Sequence, residues 1–410
     1  MPRTGLPLTR TAAPAPRLAL TALGLLAVVL AGCSSSHSPA PGPVPPVPGN
    51  CLSSGAAPLT IVVGERSNVP RIQFPTATAT LIQTAAIDHQ QIRLIRIDGK
   101  PKVFPVAPFT TNAKNGGAYT DALNSYVTGV EGLVDGAKMR AVSPQADLLT
   151  ALSYAAGATT AGGNIIVIDS GLQTAGLLEY QVPGMLMSPP SDVVSFLHDK
   201  GLIPPLAGRH VLLSGFGYTA APQAVLDQPE RQNVAAQWAA IVTAGGACVT
   251  VDPTPNTNQE MPGLPAVATV PLPAPPVFKS CGTTVLSDAG SVGFNVGLSS
   301  FRDPSEARQT LSNLASVLKQ GTEPIKLIGS TSSEGGDAVN GPLSLNRAKA
   351  VESVLVSLGV PAGRITVVGD GAHYPGRVAD LGPGGQLLLP EAEQDREVIV
   401  QLPQCQGAAA

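Results

Sequence analysis

The sequence predicts an α/β protein with two folded domains, a doubly wound, mostly parallel sheet first and an α+β domain second. Three observations support this prediction. Aliphatic, strand-like runs alternate with helical patterns, two Pro-rich segments divide the chain, and four of the five cysteines bracket the blocks between those segments. A chain of 410 residues is long enough to bury two hydrophobic cores. The formal net charge of −3 gives no reason to expect a nucleic acid as partner.

The first segment combines a basic leader with a short apolar run. Three arginines within the first 17 residues precede an apolar run over residues 18–30, which has the length of a signal peptide rather than of a membrane span. Leu-Ala-Gly-Cys then follows at residues 30–33 and resembles the lipobox of bacterial lipoproteins. The resemblance implies cleavage before Cys33 and lipidation of its thiol. A plain signal peptide that ends near a cysteine is the alternative.

Two Pro-rich segments set the domain boundaries. Residues 33–54 and 253–276 carry no periodic apolar pattern, so we expect an extended tether at the first and a linker at the second. The other predicted segments are a signal peptide at 1–32, the first domain at 55–252, the second domain at 277–405 and a tail at 406–410.

The remaining four cysteines bracket the two domains. Cys51 and Cys248 enclose the first, and Cys281 and Cys405 enclose the second. Four cysteines allow three connectivities, and the bracketing favours the pairs Cys51–Cys248 and Cys281–Cys405 in an exported chain. Metal binding is the competing interpretation, but no two of these cysteines have C-x-x-C spacing. We therefore expect disulfides.

The elements of the first domain follow from its apolar runs. The predicted strands are 59–63, 92–97, 103–106, 164–169, 211–213 and 247–251, and the predicted helices are 77–87, 147–156 and 229–243. Strands separated by helices imply a largely parallel sheet that is covered on both faces. This layout, with a short antiparallel pair after the first helix, resembles a von Willebrand factor A-like domain over roughly residues 55–255.

That family holds a metal ion at the carboxyl ends of its strands, and this chain departs from the motif. The family's Asp-x-Ser-x-Ser aligns with residues 64–68, where glycine replaces the leading carboxylate, and its threonine position falls on Ala146. Asp169 alone fits, so we predict no metal there and a turn-capping role for Asp169. Arg66 and Ser67 are candidates for a partner surface at this edge of the sheet.

The second block, residues 278–403, reads strand, helix, strand, helix, strand, loop, strand. Residues 328–348 resemble the peptidoglycan-binding signature of OmpA-like domains, a Gly-rich turn followed by a helix with Leu-Ser-x-x-Arg-Ala. Gly369-Asp370-Gly371 with Pro375, and Asp395-Arg396-Glu397-Val398, match two later motifs of that family. The resemblance covers nearly a third of the chain.

Local signals agree with a helix inside this signature. Asn340 is a good N-cap, Pro342 suits a first turn, and Gly359 suits a left-handed C-cap. Arg347 lies early in the helix, and its side chain is expected to lean back toward the N-terminal turn. Free backbone N–H groups and a guanidinium near one spot suit a carboxylate.

The resemblance also implies a ligand, the diamino acid of a peptidoglycan stem peptide, gripped through its carboxylate and its amine. Arg347 carries over directly, whereas Ser332 replaces the turn aspartate and cannot neutralise an ammonium. Glu334 is a candidate for the same pocket, and Glu397 replaces the second arginine of the late motif. The predicted peptidoglycan-binding residues are Ser332, Glu334, Asn340, Arg347 and Arg396.

Three functions are consistent with these patterns. The favoured one is a lipid-anchored protein of the cell membrane or outer membrane that faces the cell wall or periplasm and binds peptidoglycan without a cofactor. A scaffold with a degenerate pocket, whose first domain binds an envelope protein, is the second. An enzyme is the third, but the sequence contains no G-x-S-x-G, H-E-x-x-H or P-loop motif.

Overall fold

The computed structural model describes residues 51–402. The predicted signal peptide, the predicted lipidation site Cys33, most of the predicted tether and Cys405 lie outside the described residues. No helix between residues 51 and 402 has the length and apolar character that a membrane span requires.

The first half of the described chain forms a six-stranded sheet in the order β3-β2-β1-β4-β5-β6. Its strands are β1 (Leu59–Val63), β2 (Ile92–Arg96), β3 (Lys102–Pro105), β4 (Asn164–Ile168), β5 (His210–Ser214) and β6 (Cys248–Val251). All neighbours are parallel except β3, which pairs antiparallel with β2 at one edge. The predicted parallel-rich sheet with one antiparallel pair is therefore confirmed.

Five helices cover the two faces of this sheet. They are α1 (Ala77–Ile87), α2 (Gly116–Val134), α3 (Leu148–Ala158), α4 (Pro190–Asp199) and α5 (Gln228–Ala244). Ile61 and Val63 of β1 pack with α1 and α2, whereas Val62 faces the core formed with α3, α4 and α5. Successive strand side chains point to opposite faces, so a continuously apolar strand such as β1 is buried on both. The sequence had not indicated α2 or α4.

A disulfide joins the two ends of this region. Cys51 pairs with Cys248 at the start of β6, across a sequence separation of 197 residues, as the bracketing predicted. Ser53 and the Asn164 side chain exchange two hydrogen bonds of 2.9 Å, which fix the incoming segment at the amino end of β4. Cys281 is also disulfide-bonded. Its predicted partner, Cys405, lies beyond the described residues.

The segment after β6 packs along the carboxyl ends of the strands. The Val267 amide donates to Ser67 Oγ (3.0 Å), in the loop after β1. The Gln223 side chain, after β5, donates to the Val270 carbonyl (2.9 Å) and accepts from its amide (2.7 Å). Val267 and Val270 are buried. The predicted linker therefore covers the edge of the sheet where open α/β sheets commonly bind ligands.

The second half forms a four-stranded sheet in the order β7-β10-β8-β9. Its elements are β7 (Gly282–Ser287), α6 (Pro304–Leu318), β8 (Ile325–Ser330), α7 (Asp337–Ser357), β9 (Ile365–Gly371), α8 (Leu389–Asp395) and β10 (Glu397–Leu402). β10 runs antiparallel to β7 and β8, and β8 is parallel to β9. This is the predicted α+β arrangement, with α8 as an additional helix in the last loop.

The start of α7 differs from the prediction. The helix begins at Asp337, so Asn340 is not its N-cap and Pro342 lies inside the helix rather than in its first turn. The physical reason is the glycine pair before it. Gly335 and Gly336 have φ values of +85° and +68°, which other residues rarely adopt, and they turn the chain into the helix earlier. At the other end Gly359 has φ +91°, as expected of the residue that stops the helix.

Candidate functional site

In the first sheet, the central strands β1 and β4 end against a buried ion pair. Arg66 contacts Asp169 through two bonds, Nη1 to Oδ2 at 2.5 Å and Nη2 to Oδ1 at 3.0 Å. Both side chains have 0% of their surface exposed. Asp169 also accepts from the Gly171 amide at 2.7 Å, which is the turn-capping role that was expected. The expectation that Arg66 contributes to a partner surface is wrong, because its guanidinium is enclosed.

Gly64 is required by this ion pair. A Cβ atom on residue 64 would lie 1.6 Å from Asp169 Oδ2 and 2.5 Å from Arg66 Nη1. Ser67 is occupied as well, since it accepts the Val267 amide of the covering segment. No group of three or more His, Cys, Asp or Glu side chains in residues 51–402 is arranged to hold a metal ion. This edge of the sheet is filled by the chain itself.

In the second sheet, the turn between β8 and α7 is held from two sides. The Ser333 amide and hydroxyl both donate to the Asp380 carboxylate, at 2.6 and 2.7 Å. Asn340 Nδ2 donates to the Ser332 carbonyl at 3.0 Å, which ties the turn to the first turns of α7. Asn340 therefore supports the turn from within the helix.

Arg347 projects from α7 into a buried position beneath the loop between β7 and α6. It is 5% exposed, its Nε donates to the Leu298 carbonyl (3.0 Å), and its Cζ lies 5.1 Å from the centre of the Phe294 ring. Its two Nη groups form no hydrogen bond with any residue from 51 to 402. Burial lowers the pKa of Arg347. The side chain thus bonds to the loop between β7 and α6.

Arg396, just before β10, is surrounded by acceptors. Its Nε donates to Ser332 Oγ and its Nη2 to Glu334 Oε2, both at 3.3 Å. Its Nη groups also contact Glu393 of α8 and Asp192 in the first turn of α4. One guanidinium thus joins the turn, α8 and the first region of the molecule.

Sequence reasoning had missed Asp192 and Glu393. Asp192 lies 204 residues before Arg396, and an acidic residue in the first turn of a helix is ordinarily explained by the helix dipole. Glu393 lies three residues before Arg396, but α8 was not predicted, so nothing indicated that their side chains meet. Neither residue stands out from its local sequence.

The carboxylates around Arg396 do not all carry a full charge at neutral pH. Burial raises the pKa of Glu393 to about 8, even though Arg396 lowers it. Burial and the adjacent Asp192 carboxylate raise the pKa of Glu334 above its usual value. Glu393 is therefore mostly protonated at pH 7, which reduces the repulsion among three carboxylates on one guanidinium.

The five predicted site residues thus divide into two groups. Ser332, Glu334 and Arg396 meet in one network, with Asn340 supporting the turn. Arg347 stands apart against Phe294 and Leu298, but it is close enough to Arg396 for their charges to interact. The Glu334 side chain is 52% exposed, whereas the other four residues are buried. Chemically, the available functions are an anion-binding guanidinium and an accessible carboxylate.

Comparison with known proteins identifies part of this region. Residues 294–381 match the model of the OmpA family, so the chain contains an OmpA-like domain toward its C-terminus. The match begins at Phe294 and includes the turn and all of α7. No curated protein matches the chain.

Several solved structures are similar to about 30% of the chain. The periplasmic domain of Helicobacter pylori MotB (residues 78–256) is 16% identical, with 30% of this chain and 78% of that chain covered and a TM-score of 0.25. The peptidoglycan-associated lipoprotein from Burkholderia pseudomallei is 22% identical, with 28% and 87% covered and a TM-score of 0.22. The cell wall anchor of the T6SS from Pseudomonas aeruginosa is 21% identical, with 30% and 81% covered and a TM-score of 0.24.

Proposed function

We propose that this protein is a lipid-anchored lipoprotein of the bacterial envelope that binds peptidoglycan without catalysis and links membrane to cell wall. The OmpA-like domain supports the binding role, because the sequence signature of that family's peptidoglycan site falls on one turn and one helix here. One observation about Arg347 carries the proposal. Its side chain is largely buried, yet its Nη groups have no hydrogen-bond partner among the described residues.

Most of the Arg347 side chain is buried, while its Nη groups are not among the fully buried atoms that lack a partner and so keep contact with solvent. Removing a charge from water costs several kcal/mol, and ordinary structural arginines recover that by pairing with a carboxylate. Arg347 has only a backbone carbonyl and an aromatic ring, and burial already lowers its pKa. A guanidinium presents two parallel N–H donors that match a carboxylate. We assign Arg347 to the carboxylate of a stem peptide.

The turn supplies the remaining contacts in this proposal. Ser332 lacks the negative charge that the family places at its position, whereas Glu334 has an accessible carboxylate in the same turn. We assign Glu334 to the ligand's ammonium. Ser332 and Asn340 then hold the turn in place, and Arg396 orients both Ser332 and Glu334.

The rest of the chain provides the anchor and the spacing. We propose that Cys33 carries the lipid and that the tether predicted at residues 33–54 ends before Cys51, which a disulfide joins to the first sheet, and faces the wall or periplasm. The sheet of residues 59–251, with its antiparallel edge strand, supports a degenerate von Willebrand A-like domain at 55–252. The OmpA-like domain then occupies 277–405.

Co-sedimentation with insoluble peptidoglycan tests the binding proposal. We expect the chain from residue 34 onward to sediment with peptidoglycan, and Arg347→Ala to reduce the bound fraction at least tenfold. Arg308→Ala is the matched control, because Arg308 is an exposed arginine of α6 in the same domain, and within the described part of the chain it bonds only to Ser357 Oγ (3.0 Å). Failure of the parent protein and of every variant to sediment would contradict the proposal.

A scaffold is the second candidate, and one observation favours it. Arg396 already contacts Asp192 from the first region, and Ser332 has no charge to offer an ammonium. Both features are those of a pocket that no longer binds peptidoglycan. If Ser332→Asp gains peptidoglycan binding that the parent lacks, the scaffold interpretation gains support, and the first region becomes the place to search for an envelope protein partner.

A further inference from the structure

Two carboxyl groups, one from each half of the described chain, lie side by side on Arg396. Asp192 comes from the first turn of α4 and Glu334 from the turn between β8 and α7, and both contact Nη2 of Arg396. The two carboxyl groups are also close enough to share a hydrogen bond. The Asp192 side chain is 5% exposed, whereas that of Glu334 is 52% exposed. Of the two, only Glu334 can contact a ligand.

The first region holds Asp192 in this position. Val193 and Leu197, on the same helix, are buried in the core that α3, α4 and α5 form on the first sheet. Gln237 of α5 donates to the Ser188 carbonyl (2.7 Å), two residues before α4 begins. The position of Asp192 is therefore set by the first region and not by the turn between β8 and α7.

Asp192 is the main counter-charge of Arg396 from outside that turn. Three carboxyl groups outside the turn act on this guanidinium, those of Glu393, Asp192 and Asp288. Glu393 is mostly protonated at pH 7, because burial raises its pKa to about 8. The Asp288 carboxylate is paired with Arg302 instead, Oδ2 to Nη1 at 3.4 Å. Asp192 is thus the carboxylate that contacts Arg396 from outside the turn and offsets its charge.

This offset leaves the Glu334 charge available to a ligand. A guanidinium that already contacts one carboxylate attracts a second one less strongly. Burial and the Asp192 charge accordingly raise the pKa of Glu334, although Arg396 lowers it. The ionised Glu334 therefore gains from the approach of a further cation. Without Asp192, Arg396 would neutralise Glu334 and would also repel an ammonium group beside it.

We propose that Asp192, in the first region, is a specificity-determining residue of the peptidoglycan site, because it offsets the Arg396 charge and so lets Glu334 accept the ligand's ammonium. This inference rests on the proposed function and makes the first region a part of the site. It requires that a stem peptide with a free amine on its diamino acid binds more tightly than one with that amine acetylated. It also requires that this preference depends on Asp192.

Two soluble stem peptides that end in a diamino acid test this inference, identical except that the amine is free in one and acetylated in the other. Their affinities for the chain from residue 34 onward are measured by calorimetric titration at pH 7. We expect the parent to prefer the free amine by about tenfold or more. In Asp192→Asn, which keeps the size of the side chain, we expect this preference to decrease by about tenfold while the affinity for the acetylated peptide stays within about twofold.

Asp199→Asn is the matched control, because Asp199 lies at the opposite end of α4 and its side chain is 52% exposed. We expect it to keep the preference of the parent. A merely structural role of Asp192 would weaken the binding of both peptides by the same factor and leave the preference unchanged.

The outcomes separate this inference from the proposed function. A parent that prefers the free amine, together with an Asp192→Asn variant that does not, supports both. An unchanged preference in Asp192→Asn overturns the role of Asp192 and leaves the function standing. Binding of both peptides by the parent without a preference overturns the roles of Glu334 and Asp192 but leaves peptidoglycan binding. No binding of either peptide by the parent overturns the function and the inference together.

A measurement on the unmodified chain covers the case in which Asp192→Asn does not fold. The Glu334 carboxyl group is titrated by NMR in the absence of ligand. We expect its pKa to lie above the ordinary value of a glutamate. A pKa below that value would show that Arg396 neutralises Glu334 despite Asp192, and would overturn the inference.

Discussion

Two buried arginines, one in each half of the molecule, have opposite surroundings. Arg66 places both Nη groups on the Asp169 carboxylate, with Ser170 Oγ and the Leu172 carbonyl as further acceptors at 3.4 Å. Among residues 51–402, Arg347 bonds only through Nε, to the Leu298 carbonyl. Both Nη groups of Arg66 are paired within the fold and only its Nε lacks a partner, whereas neither Nη group of Arg347 has an acceptor among residues 51–402.

Under the proposed function, this difference separates an edge that the chain fills itself from the proposed ligand site. The edge near Arg66 has the location of a ligand site, at the carboxyl ends of β1 and β4. Arg66 and the segment bearing Val267 fill that edge. Arg347 lies on a helix beside a different sheet, and its Nη groups have no acceptor among residues 51–402. The four predictions below test this contrast.

The largest effect is expected from Arg66→Met. The variant keeps much of the side-chain volume but leaves the Asp169 carboxylate buried without its partner, and breaking a buried ion pair in this way typically costs about 3–5 kcal/mol. The free energy of unfolding from urea titrations measures the loss. A loss below about 1 kcal/mol would show that Arg66 is not needed to neutralise Asp169.

Gly64→Ala is expected to destabilise by about 1–3 kcal/mol, because its Cβ overlaps Asp169 Oδ2 and the ion pair has to move. Gly129→Ala is the matched control. Gly129 lies inside α2, where a Cβ meets nothing within 4 Å, so alanine is expected to be neutral or to stabilise by up to about 1 kcal/mol. Equal effects of the two substitutions would contradict the packing described around Asp169.

The third prediction concerns pH. Burial and the Asp135 charge raise the pKa of Glu65 to about 7, from an unfolded value near 4.5. The folded state therefore binds this proton more tightly, and its contribution to stability, present at low pH, is lost as pH rises from about 4.5 to 7. The unfolding free energy of the parent is expected to decrease from pH 5 to pH 8. In Glu65→Gln this decrease is expected to be smaller by roughly 1–3 kcal/mol.

Glu260→Gln provides the control for this titration, because Glu260 is exposed in the segment after β6. Its pH profile is expected to follow that of the parent. Unfolding free energies that rise from pH 5 to pH 8 would contradict the assigned direction for Glu65. Glu393, in the second half, is also expected to lower the unfolding free energy as pH rises, since its pKa is raised to about 8.

Much of the first sheet was predictable because its strands are continuous aliphatic runs. The aliphatic runs at β1 and β4 begin and end close to the observed ends of these strands. The apolar spacing at residues 77–87 likewise matches the observed bounds of α1. α2 was missed because it contains four glycines and buries only Leu123, Val130 and Val134. A helix of this kind is stabilised by tertiary contacts that the local sequence does not reveal.

The site was predictable as a set of residues but not as an arrangement. The signature placed Arg347 on the correct helix, yet its contact with Leu298 spans 49 residues of sequence. The Arg396–Asp192 pair spans 204. Local rules also placed the start of α7 at Asn340, whereas the left-handed glycines before Asp337 decide it. Partners brought together by folding over long sequence distances leave no periodic signal.

The smallest effect on stability is expected from Arg347→Met, although its effect on function is expected to be large. Replacing a buried cation that has no carboxylate partner by an apolar side chain of similar length is expected to change the free energy of unfolding by less than about 1 kcal/mol. The same substitution at Arg66 provides the comparison.

The most direct measurement titrates a soluble stem peptide ending in a diamino acid into the parent chain and into Arg347→Met, with both unfolding free energies measured in parallel. We predict that the parent binds, and that the variant keeps its stability and loses at least tenfold in affinity. A variant that binds as well as the parent, or that is destabilised as strongly as Arg66→Met, would show that Arg347 serves the fold rather than a ligand.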